Sequence, residues 1–167
     1  MSPRRLLRVL SATALLALSG CFYGFSGGGL PTHVRTVAVL PFANETASPE
    51  LTREFTEALR DGLSKRLGLR DASEEKASAI ARGTIVKYET DVPVAYSANP
   101  QQATATRRKL QIVVDVEIYD QVQGKTLWQK KAMMGEGEYS ERFEADGRKQ
   151  AISRIVNEII EGAQSQW

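Results

Sequence analysis

Cysteine and histidine are nearly missing from this chain of 167 residues, which has one of each, Cys21 and His33. A single cysteine excludes an internal disulfide framework, so the fold must rest on its own apolar core. A single histidine, two residues after Pro31, excludes the common metal constellations, which need several convergent nitrogen, sulfur or carboxylate ligands. It also leaves a Ser-His-Asp arrangement no base other than His33 itself; we read His33 as a solvated loop histidine. Long apolar runs are missing too: the stretch Val9 to Leu18, interrupted by Ser11 and Thr13, falls short of the roughly 20 residues that cross a bilayer. No excess of one charge sign marks the chain, with 22 Lys plus Arg against 20 Asp plus Glu and a net charge of +2, so bulk charge does not point to nucleic acid. There are no internal repeats and no heptads. The glycine run 27–29 neither follows a strand nor opens a helix, which excludes a phosphate loop.

What is present begins with a polar asymmetry at the start of the chain. Arg4, Arg5 and Arg8 precede the short apolar stretch with no acidic residue nearby, and the small residues Ser19 and Gly20 follow it; this is the pattern of a secretory signal. Leu18-Ser19-Gly20-Cys21 resembles the lipobox of bacterial lipoproteins at every position. The resemblance implies a signal peptide over 1–20, removed ahead of Cys21, and a diacylglycerol carried by the Cys21 thiol through a thioether. No cofactor is expected beyond that covalent lipid. Removing the three arginines lowers the basic count from 22 to 19 against 20 acidic residues, so the mature net charge is −1. Each buried methylene contributes ~0.8 kcal/mol, so two or three acyl chains hold such a protein stably on its membrane. In the enterobacterial sorting pattern Asp after the lipid cysteine retains a lipoprotein at the inner membrane; Phe22 is not Asp, so the resemblance implies an outer-membrane location. Residues 21–33, with the glycine run and Pro31, read as a flexible lipidated tether.

Residues 34–167 then read as a single α+β domain. Val34 to Leu40 is β-branched and apolar, closed by Pro41: a buried strand. Ser48 reads as an N-cap with Pro49 at the first helical position, and Leu51, Phe55, Ala58, Leu59, Leu63 and Leu67 form one helical stripe that Gly68 ends. Residues 71–78 form a charged connection and 79–90 a second strand. Residues 91–105, with Pro93 and Pro100, predict a long exposed loop. From Arg108 to Tyr119 the alternation is regular: Leu110, Ile112, Val114, Val116 and Ile118 face one way, Lys109, Gln111, Val113, Asp115, Glu117 and Tyr119 the other, as in a strand with one wet face. A hairpin loop over 120–125 leads into a returning strand to about Tyr139. A last helix runs from about Glu144 to Glu161 with Ala151, Ile152, Ile155, Val156, Ile159 and Ile160 inward. The order β-α-β-β-β-α predicts a two-layer sandwich, an about four-stranded mixed or antiparallel sheet with two helices on one face.

Chemistry-bearing clusters are few. Glu74-Glu75 and Glu136-x-Glu138 are the paired carboxylates, and a solvated surface accounts for both, so we expect no catalytic residue and no enzyme. The densest basic cluster is Arg107, Arg108 and Lys109, with Lys130-Lys131 on the strand predicted to return beside it. Arg gives bidentate and Lys point-charge contacts to phosphate.

Taken together, the lipobox, VRTVAVLPFANET (34–46), SPELTREFTEAL (48–59), GTIVKYETDVPVAYS (83–97), RKLQIVVDVEIYD (108–120) and GKTLWQKKAMMGEGEYS (124–140) resemble the LPS-assembly lipoprotein family (LptE-like) over nearly all of the mature chain. The resemblance implies two helices on a four-stranded sheet. It also implies a protein that sits in the lumen of the outer-membrane LptD-type β-barrel translocon, plugs it, helps assemble it and contacts lipopolysaccharide. The domain is then expected in the periplasm or inside that barrel. Assigning lipopolysaccharide contact to Arg107, Arg108 and Lys109 comes from their charge, not from the resemblance. A second class of role, a lipoprotein that scaffolds or activates a periplasmic cell-wall enzyme, shares the lipobox and the strand ending in LPF-x-N.

Overall fold

Strands carry the middle of the chain and helices flank them. The computed structural model describes residues 30–96, 105–140 and 142–165, without side chains for 91–96 and 105–107; residues 1–29 and the tip of the predicted loop, 97–104, lie outside the described residues. β1 is Thr36–Val39, β2 Ala43–Asn44, α1 Glu50–Leu67, β3 Arg70–Asp71, β4 Ala79–Tyr96, β5 Ala105–Asp120, β6 Lys125–Tyr139 and α2 Glu144–Ser165. The sheet order is β3-β1-β4-β5-β6, with β2 also on β4. β1 pairs parallel with β3 and β4, and β2 parallel with β4, whereas β4–β5 and β5–β6 are antiparallel.

The predicted α+β sandwich is therefore correct, with a six-stranded mixed sheet rather than four strands. The two additional strands, β2 and β3, have two residues each, too short to leave any periodicity. The predicted loop 91–105 needs a larger correction: β4 runs on through Pro93 to Tyr96 and β5 starts at Ala105. Proline survives in this strand because the β1 and β2 pairings of β4 stop at Ile85. Beyond that residue β5 is the one strand beside β4 among the described residues, and irregularities bracket Pro93, as proline in an edge segment requires.

α1 forms where the stripe predicts, and Leu51, Phe55, Leu59 and Leu63 are fully buried, each contributing about 1.5–3 kcal/mol relative to exposure. Its start differs in detail. Ser48 contributes its carbonyl rather than its hydroxyl, accepting from the Leu51 N–H at 3.2 Å and from the Asn44 side-chain amide at 2.8 Å, and no side chain caps the helix. Gly68 ends it in the left-handed conformation (φ 67°), with N–H bonds returning to Leu63 and Ser64, a glycine-dependent stop.

Both helices cover one face of the sheet and run in the same direction. Arg148 bonds Glu54 near their starts, and Arg66 bonds Asn157 further along. α2 lies close under β6 because Gly135 and Gly137 offer it bare backbone: a Cβ on Gly137 would stand 1.9 Å from the Gly147 carbonyl oxygen. The core joins the inward residues of α1 and α2 to Leu110, Ile112, Val114, Val116 and Ile118. A second, small cluster of Ala38, Ala77 and Ile80 covers part of the opposite face, under the connection after β3.

Candidate binding surface

The inward residues of β5 are buried and the alternate ones, Lys109 to Tyr119, are half-buried. Those alternate residues form, with β4 and β6, a sheet face that no helix among the described residues covers. Across its middle the register sets Lys87 opposite Val113 and Val113 opposite Met134. Val86 occupies the irregularity in β4 and is 39% exposed, Met134 53%. The Gln111 side-chain amide donates to the Met134 sulfur. Val86, Val113 and Met134 thus make an apolar row over three strands, the kind of exposed patch that marks an interaction surface.

Polar groups flank the row on both sides. Toward the β5–β6 hairpin, the Glu117 carboxylate accepts from the Thr126 hydroxyl at 2.7 Å and from the Arg82 guanidinium at 2.9 Å. The Thr126 bond leads in holding the Glu117 carboxyl below the usual carboxylate range, against partial burial, with Arg82 adding to it. The Arg82 guanidinium also lies 5.3 Å from the Tyr119 ring centre, a cation–π distance. Asp115 accepts the Ala132 backbone N–H at 2.7 Å and so holds a bulge in β6 where Ala132 takes φ 52°. The bulge explains why Lys130 and Lys131 part. Lys130 stands opposite Val116 and its ammonium donates to Glu158 on α2, whereas Lys131 lines a polar hollow with Arg82, Thr84, Asp115, Glu117 and Gln129.

Toward the other end, Lys109 donates to Glu136 at 3.0 Å. Arg108 pairs in register with Tyr139, is half-buried and shares the helix side with Leu110. Arg107 pairs in register with Ala95; its side chain lies outside the described residues. Lys130 lies far along the sheet from Lys109. Val116, the register partner of Lys130, is seven residues along β5 from Lys109, about 23 Å at strand spacing. Of the paired carboxylates, Glu136 is held by Lys109, Glu138 is exposed on the same strand, and Glu74 and Glu75 sit exposed in a 3-10 turn. Among the described residues no group of three or more His, Cys, Asp or Glu side chains is placed to hold a metal ion, and no helix is long and apolar enough to cross a membrane.

Two polar clusters were not visible in the sequence. His33 is not a solvated loop residue: its Nε2 lies 2.6 Å from Asp120 Oδ2. Asp120 is fully buried, and burial opposes its ionisation. The N–H groups of Gln123 and Val122 and the His33 ring outweigh that and hold its carboxyl below the usual range. In the second cluster the Arg148 guanidinium bonds both oxygens of Glu54 (3.1 and 3.2 Å) and Glu144 at 3.0 Å, while the Tyr88 hydroxyl donates to Glu144 at 2.6 Å. It ties α1, α2 and β4 together, and Glu54 leads in pushing the Arg148 pKa up, burial opposing. Partners 87 and 94 residues apart leave no spacing signal; Arg148 on the inner side of an amphipathic helix was the only available hint.

Comparison with known proteins places this geometry. Among solved structures the chain is similar to PelC from Paraburkholderia phytofirmans, solved as a dodecamer (15% identity, 83% of this chain and 94% of that one, TM-score 0.52). It is similar to the hypothetical protein CT253 from Chlamydia trachomatis (15%, 78% and 96%, 0.53) and to XCC0632 from Xanthomonas campestris (8%, 78% and 84%, 0.55). At these identities the likeness is one of fold. No curated protein matches in sequence. The family model described as lipopolysaccharide-assembly, LptE, matches residues 34–162, every described strand and most of α2. The chain therefore belongs to the lipopolysaccharide-assembly family LptE.

Proposed function

We propose that the protein is an outer-membrane lipoprotein, anchored by lipid on Cys21, that occupies and plugs an LptD-type translocon barrel. In this role it helps assemble the barrel and contacts lipopolysaccharide on its way to the cell surface. Family membership over 34–162 is the observation that carries the reading. The sheet face with Val86, Val113 and Met134 supports it, because a barrel wall or an amphiphile needs apolar contact, and this row supplies it across three strands. The function requires binding and positioning, with no bond made or broken by the domain. A tagged copy purified from detergent-solubilised membranes tests it. Recovery of the translocon barrel supports the reading; recovery of a peptidoglycan synthase without the barrel replaces it with the enzyme-activating role.

A further inference from the structure

We propose that the β5–β6 hairpin is the end of the domain that meets the leaflet holding the lipid anchor, with the uncharged turn Gln121-Val122-Gln123 as the contacting surface. The inference rests on the reading of Cys21 as the lipid-bearing residue and goes beyond it by assigning an orientation and a surface.

The root of the tether and the hairpin turn are fastened to one carboxylate. Asp120 Oδ2 takes His33 at 2.6 Å, while Oδ1 accepts the N–H groups of Val122 at 2.8 Å and Gln123 at 3.0 Å. The root is packed as well as bonded: Val34 is buried and its N–H donates to the Pro31 carbonyl at 2.8 Å. His33 lies twelve positions after Cys21. A chain of that length reaches at most about 40 Å fully extended.

The opposite end of the domain is far from that root. From Asp120 to Arg108, β5 takes 12 residue steps, about 40 Å at strand spacing, and Phe143 lies just past Tyr139, the register partner of Arg108. The tether therefore brings the hairpin to the leaflet first. The turn suits that position. Val122 is 66% exposed, its neighbours in the turn are the neutral Gln121 and Gln123, and the Gln121 side chain is held by the Glu74 carbonyl at 2.6 Å. Apolar exposure alone would not choose this end, since Phe143 is 59% exposed at the other; the place where the tether joins the domain decides.

Because Cys21 is the only native cysteine and its thiol is consumed by lipid, Val122→Cys and Phe143→Cys each give one labelling site in the full lipidated chain. Each is labelled with a fluorophore in vesicles of phosphatidylcholine and phosphatidylglycerol carrying a headgroup nitroxide quencher. Quenching at 122 is expected to exceed that at 143 several-fold. Adding His33→Ala and Asp120→Asn is expected to lower the value at 122 toward that at 143. Equal quenching at the two sites, or stronger quenching at 143, overturns the orientation. A value at 122 that ignores the added pair of substitutions overturns the role of the His33–Asp120 bond. Flotation of a Cys21→Ser chain with the same vesicles reads the anchor separately: it should fail to float, and flotation as complete as wild type sinks the anchor assignment whatever the quenching shows.

Discussion

At the scale of single residues, charge placement decides which substitutions matter. Asp120 is fully buried with both oxygens bonded, so Asp120→Ala should cost on the order of 3 kcal/mol, read by urea unfolding of the soluble domain. Its carboxyl sits below the usual range in the fold. The stability it supplies is therefore present above the unfolded value near ~3.9 and lost as pH falls through the folded value. Asp120→Asn should unfold at lower urea at pH 7 and lose less than wild type between pH 5 and pH 3; parallel losses in the two proteins would refute this. Lys109 is engaged with Glu136, so a phosphate must compete for it. Even so, changing Arg107 and Lys109 together to Gln should weaken binding to immobilised lipopolysaccharide, most at low ionic strength, where surface charge is least screened. Unchanged low-salt binding by the double variant would reduce this cluster to a solvated strand end.

Elements were legible where periodicity was long and hidden where tertiary contact overrode it. β5 could be read because its inward residues, from Leu110 to Ile118, alternate without a break, and all of them are buried. β6 could not be resolved in the same way, since the bulge at Ala132 shifts which residues face the helices, and Asp115 on another strand holds that bulge. The extension of β4 was masked by Pro93 and by a composition typical of loops, although β4 there has one neighbour among the described residues and tolerates proline. The close approach of α2 to β6 left a trace in Gly135-x-Gly137, interleaved with Glu136 and Glu138. Gly137→Ala would drive a methyl group into the Gly147 carbonyl, backbone against backbone with no side chain to yield. A loss of about 3 kcal/mol is expected, and urea midpoints measure it. At Gly124, by contrast, the nearest atom to a Cβ is the Tyr119 hydroxyl at 3.7 Å and only the positive φ of 66° opposes a side chain, so Gly124→Ala should cost about 1 kcal/mol. Equal losses would show that the helix can back away from the strand.

For the molecule as a whole, one sheet face is sealed by two helices running in the same direction, and the other combines an apolar row with ion pairs on both sides. A domain that only had to be soluble would not need Val86, Val113 and Met134 aligned across three strands; a domain that sits against a protein wall does. A photo-activated cross-linker at position 134 or 113, compared in living cells with one at Arg154 on the helix layer, tests this most directly. The account predicts capture of the translocon barrel from 134 and 113 and much weaker capture from 154. Capture from 154 alone, or no barrel captured from the sheet face while the protein remains folded and anchored, would contradict it.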